Sequence, residues 1–280
     1  MSPRIFGQHH AVLDVEYDGT PYAGWARQPD LRSIEGDLIA AFARLDGIVR
    51  VMRCAGRTDA GVHASAQVVD VVYDGPVPVE RIGRALSGKL PPELKVLRAV
   101  PAVDGFNARY DATSRSYEYR LIPGPVSSPL RDRFTFHHPR SLDLDRLHTA
   151  AAMIRGQHRF TAFTPSRSEH TFFDRTIATS EWVQRGDELV YRVRANAFLR
   201  HMVRILVGTM LEVGRGERTL DELAFALDGG PRASAGRTAS PRGLCFTGVT
   251  WDPLDDLPLP PTWRIDRPDR ERGEELAPGG

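Results

Sequence analysis

A mixed α+β fold built from two similar halves is what this sequence predicts, and three observations predict it. Short segments of alternating polar and apolar residues are separated by amphipathic stretches with helical spacing. The order β-α-β-β-α-β can be read twice along the chain. No apolar run reaches the roughly 20 residues that span a bilayer. The longest, Met202 to Val213, is shorter and carries Arg204 and Glu212. A chain of 280 residues has room for one large domain or two ordinary ones, and 41% hydrophobic with 26% charged residues is the balance of a folded, soluble protein.

His10 to Tyr17 alternates, with Ala11, Leu13, Val15 and Tyr17 on one face and Asp14 and Glu16 on the other, as a half-buried strand does. Ser33 caps a helix running to Leu45, in which Ile34, Leu38, Ala41, Phe42 and Leu45 recur at helical spacing. Val49 to Cys54 and Gln67 to Tyr73 read as strands, followed by a helix from Val79 to Leu86 and a strand from Leu94 to Val100. That order is ferredoxin-like.

After Phe106 the order repeats. Strand Ser116 to Ile122, helix Leu144 to Ile154, strands Arg175 to Gln184 and Glu188 to Arg194, helix Phe198 to Val213 and strand Leu244 to Trp251 follow, with a second helix, Leu220 to Leu227, before the last strand. The expected architecture is therefore two ferredoxin-like halves, each a mainly antiparallel sheet with helices on its outer face, and a cleft between the sheets. The halves are placed at residues 1–106 and 107–252. Residues 253–280, rich in proline and then in charge, read as a poorly ordered tail without chemistry.

The formal charge is only +1, so any contact with nucleic acid must come from local patches. Arginine supplies nearly all the positive charge, lysine occurring only at Lys89 and Lys95. Cys54 and Cys245 form neither a disulfide framework nor a metal-binding spacing. His9, His10, His137, His138, His148, His158, His170 and His201 show no HExxH or comparable pattern, so no metal is expected. The first ten residues lack a secretory signal, which makes the cytoplasm the default location.

The segment with the clearest chemistry runs from Cys54 to Ala64 between two strands. Gly56 and Gly61 have the separation of a phosphate-cradling loop, but Val62-His63 stands where Lys-Ser/Thr is needed, which excludes that reading. On local chemistry alone, Asp59 or Thr58 can simply bond nearby backbone in a tight turn.

The run Gly56-Arg57-Thr58-Asp59-Ala60-Gly61-Val62-His63 closely resembles the signature of the tRNA pseudouridine synthase A family. The resemblance extends from about His10 to Trp251. It includes Tyr17-Asp18-Gly19, Gly24-Trp25, Arg27-Gln28, Leu90-Pro91-Pro92, Phe106-Asn107-Ala108-Arg109, and Arg115 with Tyr117 and Tyr119. Arg175-Thr176-Ile177, Asn196-Ala197-Phe198, His201-Met202-Val203-Arg204, Gly208, Glu212-Val213-Gly214 and Gly243-Leu244 complete it.

The resemblance implies isomerisation of uridine to pseudouridine in tRNA, with no cofactor. Asp59 is then the catalytic aspartate, acting as nucleophile or as base. Arg204, an arginine in an otherwise apolar helix, is implied to sit beside that carboxylate and keep it ionised. Tyr117 is implied to stack on the target base, Leu244 to close the other side of the pocket, and Arg57 to fill the space the base leaves in the RNA. Thr58, His63, Arg109, Arg115, His201 and Arg27 are further candidates for substrate contact. The implied target is the anticodon arm, at tRNA positions 38 to 40, bound by a homodimer without any membrane or small-molecule cofactor.

The chain departs from the family pattern in three places. Ser87-Gly88-Lys89 precedes Leu90 where asparagine is common. Arg159 in Gly156-Gln157-His158-Arg159-Phe160, read as the end of a helix, stands where an acidic residue is common. Arg237 in Ala235-Gly236-Arg237-Thr238 stands where proline is common. Two other classes are disfavoured. A noncatalytic sheet-based RNA binder would carry an RNP-type aromatic string, and none is present. A hydrolase pairing Asp18 with Asp59 has only the shared glycosidic bond in its favour.

Overall fold

The computed structural model describes residues 7–167 and 171–251. His170 and the expected tail, 253–280, lie outside them. The chain divides between Ala112 and Thr113 into two compact units. No helix among the described residues is long and apolar enough to cross a membrane.

The first unit comprises β1 (Gln8–Tyr17), α1 (Ile34–Ala43), β2 (Ile48–Cys54), β3 (His63–Asp74), α2 (Val79–Ser87) and β4 (Leu94–Pro101). Its antiparallel sheet has the order β4-β1-β3-β2. The alternation in β1 is realised directly, since Ala11, Leu13, Val15 and Tyr17 are all buried. Ser33 accepts a hydrogen bond from the Gly36 N–H at 3.2 Å, opening α1, which buries Ile34, Leu38, Ala41 and Phe42. This helix ends at Ala43, short of Leu45, because Asp46 turns left-handed (φ 56) and Gly47 N–H closes back on Phe42 O at 2.9 Å.

The segment from Phe106 to Ala112 stays with this unit for an identifiable reason. Asp70, fully buried in β3, accepts from Ala108 N–H at 2.8 Å and pairs with Arg53. Arg53 in turn donates to Phe106 O at 3.2 Å. A buried carboxylate must be satisfied, and this one is satisfied by fastening the chain that leaves β4.

The second unit comprises β5 (Ser114–Pro123), β6 (Phe136–His138), α3 (Leu144–Ile154), β7 (Gly156–Arg159), β8 (Asp174–Arg185), β9 (Glu188–Ala195), α4 (Met202–Gly214), α5 (Leu220–Leu227) and β10 (Leu244–Thr250). The order is β10-β5-β9-β8-β7, antiparallel throughout, and β6 pairs in parallel with the end of β5. Almost every residue of α4 is buried, with α3 packed against it and against β8. Thr219 and Glu222 form a reciprocal capping box at the start of α5.

Three further features differ from the sequence expectation. Helix α4 begins at Met202 and not at Phe198, because His201 adopts the left-handed conformation (φ 61), which a helix cannot continue through. Apolar Phe198 and Leu199 extend the helical spacing without extending the helix. The segment Gly156 to Arg159 is a strand paired with β8 and not a helix end, since Arg155 is already extended (ψ 148). Finally, β6 and β7 are too short, at 3 and 4 residues, to show alternation.

Candidate active site

Asp59 lies in the link between β2 and β3 and begins a four-residue turn closed by Val62 N–H donating to Asp59 O at 3.1 Å. Gly61, the third residue of that turn, has φ 75, the left-handed value that a type II turn demands and that glycine adopts without strain. The turn is fastened to the chain that follows β1. Trp25 N–H donates to Thr58 O (3.0 Å), Gly61 N–H to Tyr22 O (3.2 Å), and Gly24 forms a backbone bridge with Asp59 itself. A methyl group on Gly19 would sit 2.0 Å from Val62 O, so the two segments approach to a distance only glycine permits. Tyr17-Asp18-Gly19 and Gly24-Trp25 are thus the seat of the Asp59 turn.

The flanking residues are held as firmly. Thr58 is buried, and its Oγ1 shares a 2.8 Å hydrogen bond with the Tyr17 hydroxyl. His63 is buried too, its Nδ1 accepting from Gly19 N–H at 3.1 Å and lying 3.1 Å from Asp18 Oδ1. Asp18 Oδ1 also accepts from Thr20 N–H (2.9 Å) and Oγ1 (2.6 Å). Asp18 is therefore committed to a local turn, which removes the basis for pairing it with Asp59 as a second catalytic acid. Asp59 is partly exposed, while Arg57 and Arg27 are exposed. The Arg109 guanidinium lies over the Tyr110 ring at 5.5 Å. Burial pushes the Cys54 thiol up to about 12, against the opposing charges of Arg57 and Arg109, so this cysteine is an inert part of the core.

In the second unit, Tyr117 projects from β5 and meets Phe198 and Phe246 edge-on, at 5.1 Å and 87° and at 5.2 Å and 90°. Two perpendicular rings fix the orientation of the Tyr117 ring. Leu244, buried at the start of β10, pairs in register with Tyr119 of β5. Arg204, on the first turn of α4, donates from Nε to Ala239 O at 2.9 Å, and its own carbonyl accepts from Ala239 N–H at 3.0 Å. His201 is the left-handed residue before α4 and its carbonyl accepts from Ile205 N–H. Arg115 is buried, with Nη1 donating to Asn196 O at 2.9 Å. Its place is in the sheet and not on a solvated surface.

Among the described residues no group of three His, Cys, Asp or Glu side chains is arranged to hold a metal. One structural contributor escaped the sequence reading. Gln67 is fully buried in β3 and donates from Nε2 to Gly56 O at 2.7 Å, closing the base of the loop. The signal was available, because a polar residue heading the valine-rich strand Val68-Val69-Asp70-Val71-Val72 needs a buried partner.

A family model described as tRNA pseudouridine synthase matches residues 15–111 and 150–252. The chain is 39% identical over 243 residues to the tRNA pseudouridine synthase A of Syntrophotalea carbinolica, covering 87% of this chain and 96% of that one. It is 40% identical over 241 residues to the tRNA pseudouridine synthase A of Solibacter usitatus, covering 85% and 97%. The corresponding protein of Frankia casuarinae is 39% identical over 248 residues, covering 88% and 90%.

Proposed function

Because the chain belongs to the tRNA pseudouridine synthase family, we propose that it isomerises uridine to pseudouridine in the anticodon arm of tRNA, at positions 38 to 40, with Asp59 as the catalytic carboxylate. The single observation that carries the assignment of Asp59 is the seating of its turn. Backbone bonds on both flanks and the Gly19 contact leave the carboxylate on a support that does not need to order itself when substrate arrives.

Isomerisation breaks the N1–C1′ bond of uridine and forms a C5–C1′ bond, while a proton leaves C5 and one is gained at N1. An ionised carboxylate serves this in either of two ways. It attacks C1′ and expels the uracil anion, to be displaced later by C5, or it removes the C2′ proton to give a glycal to which C5 then adds. Uridine deuterated at C2′ separates the two, since only proton removal gives a primary isotope effect.

In this reading Tyr117, its ring steadied by Phe198 and Phe246, stacks on the base, and Leu244 closes on it. Arg204 keeps the Asp59 carboxylate ionised and oriented. Arg57, exposed beside Asp59, takes the space of the extracted base, an extraction that costs a few kcal/mol. Thr58 and His63 are better explained as supports of the turn, given their burial and their bonds to Tyr17, Asp18 and Gly19. A homodimer working on tRNA in the cytoplasm completes the proposal, and sedimentation tests the oligomeric state.

The direct experiment incubates the purified protein with uridine-containing tRNA in metal-chelated buffer and maps pseudouridine. Product at anticodon-arm positions is expected. No product on any tRNA over a range of salt would refute the proposal.

A further inference from the structure

From Gly229 to Trp251 the chain carries three arginines and no acidic residue, in a protein whose 37 basic and 36 acidic residues nearly cancel. Within this stretch residues 235–240 run along α4 and are fastened to it repeatedly. Gly236 N–H donates to Thr209 Oγ1 (2.8 Å), Arg237 N–H to Glu212 Oε1 (2.9 Å) and Ala239 N–H to Arg204 O (3.0 Å), while Arg204 Nε returns a bond to Ala239 O (2.9 Å). The approach is close enough that a methyl group on Gly208 would lie 1.7 Å from Arg237 O.

The backbone of this arm is therefore fixed, while two of its side chains are not engaged. Arg232 donates from Nη1 to Ala235 O at 3.2 Å. Arg237 and Arg242 are exposed, and among the described residues neither guanidinium has a hydrogen-bond or ion-pair partner. The carboxylate that α4 turns to the arm, Glu212, makes no ion pair with the Arg237 guanidinium. Its Oε1 is taken by the Arg237 backbone, and its Oε2 accepts from Arg218 Nε at 3.1 Å.

We propose that residues 237–242 form a rigid phosphate-binding arm, in which Arg237 and Arg242 each contact a backbone phosphate of the RNA next to the target uridine. This rests on the function proposed above and extends it to residues outside the base pocket. Arg242 stands two residues before Leu244, the residue assigned to close on the base, so a strand that delivers its base there brings its own phosphates to the arm. The planar guanidinium fork matches phosphate bidentately, and a prefixed backbone adds no ordering cost to binding. Contacts of this kind are independent of sequence and sensitive to salt.

The test measures tRNA binding by full-length protein carrying Asp59→Asn, so that no turnover intervenes, across a range of salt concentrations. Arg237→Ala and Arg242→Ala should each weaken binding by about three- to ten-fold at low salt and flatten the dependence of log affinity on log salt by about 0.7–0.9. Arg237→Lys and Arg242→Lys should keep the parental slope. A double alanine variant with unchanged slope overturns the proposal, as do lysine variants that lose slope as alanine does. A double variant that keeps the tRNA slope but loses binding to polyglutamate also overturns it, assigning the arm to an acidic protein. Activity is read separately on the protein that keeps Asp59: if that protein makes pseudouridine while the slope is unchanged, the arm alone is refuted, whereas a flattened slope beside a parent that makes no pseudouridine refutes only the isomerase reading.

Discussion

The Tyr17 hydroxyl and Thr58 Oγ1 lie 2.8 Å apart in a buried hydrogen bond, so the last residue of β1 holds the residue that precedes Asp59. Gln67 Nε2 reaches the same hydroxyl at 3.4 Å while donating to Gly56 O. Tyr17→Phe keeps the ring and removes the bond. We expect a loss of about 1 kcal/mol in stability, together with a fall in kcat larger than the rise in KM, because in the proposed mechanism the turn that shifts carries the reacting carboxylate of Asp59. Thermal melts and steady-state turnover of tRNA check this, and an unchanged kcat would separate the hydroxyl from catalysis.

The seat of the turn depends on Gly19. In Gly19→Ala the new methyl group meets backbone, at 2.0 Å from Val62 O, and cannot be relieved by a side-chain rotation. Stability should drop by about 2 kcal/mol or more, with activity lost in parallel. Gly88→Ala is the control, since its methyl group would meet nothing closer than 3.6 Å and its backbone is right-handed. That variant should melt within about a degree or two of the parent, the effect of a tolerated glycine replacement being below about 1 kcal/mol.

Removing Arg204 has two separable effects. Arg204→Ala deletes the bond from Nε to Ala239 O, which should cost about 1–2 kcal/mol of stability. It should also lower kcat by about a hundred-fold or more, if the guanidinium sustains an ionised Asp59. Near-normal turnover in the folded variant would remove Arg204 from its assigned role.

Stability should depend on pH through His138. Burial, with the positive charges of Arg215 and Arg140 adding to it, lowers this histidine from the ordinary 6.5 to about 4. The neutral ring is the folded form, whereas the unfolded chain takes up a proton as pH falls below about 6.5. The unfolded state then binds more protons, so stability is unaffected above that pH and declines between about 6.5 and about 4. The loss attributable to this group is on the order of 2 kcal/mol. Melts of wild type and His138→Phe over this window should diverge, the variant losing less on acidification, and parallel curves would contradict the assignment.

Much of the fold was legible because β1, α1 and α5 follow simple rules. Alternation buried Ala11, Leu13 and Val15, and Ser33 marked the first helix start. The start of α4 was not legible, since the left-handed turn at His201 leaves no trace in the spacing of Phe198 and Leu199. For the site, the Asp59 string was conspicuous, but the reasons for its neighbours were not. Gly19 and Trp25 sit more than thirty residues away in the chain, and only the folded backbone explains why they accompany Asp59. Arg115 and His63 carry charge or polarity that suggested solvent, yet both are buried and bonded, because sequence records side-chain chemistry and not depth.

The most direct measurement is single-turnover conversion of anticodon-arm uridines by Asp59→Asn protein, read beside its tRNA affinity. Asparagine keeps the size of the side chain and removes the charge, so fold and tRNA binding should stay within about three-fold of wild type, consistent with the turn being held by backbone bonds. Pseudouridine should fall below detection. Conversion by the folded variant at a rate within about ten-fold of wild type would contradict the role of Asp59 as the catalytic carboxylate.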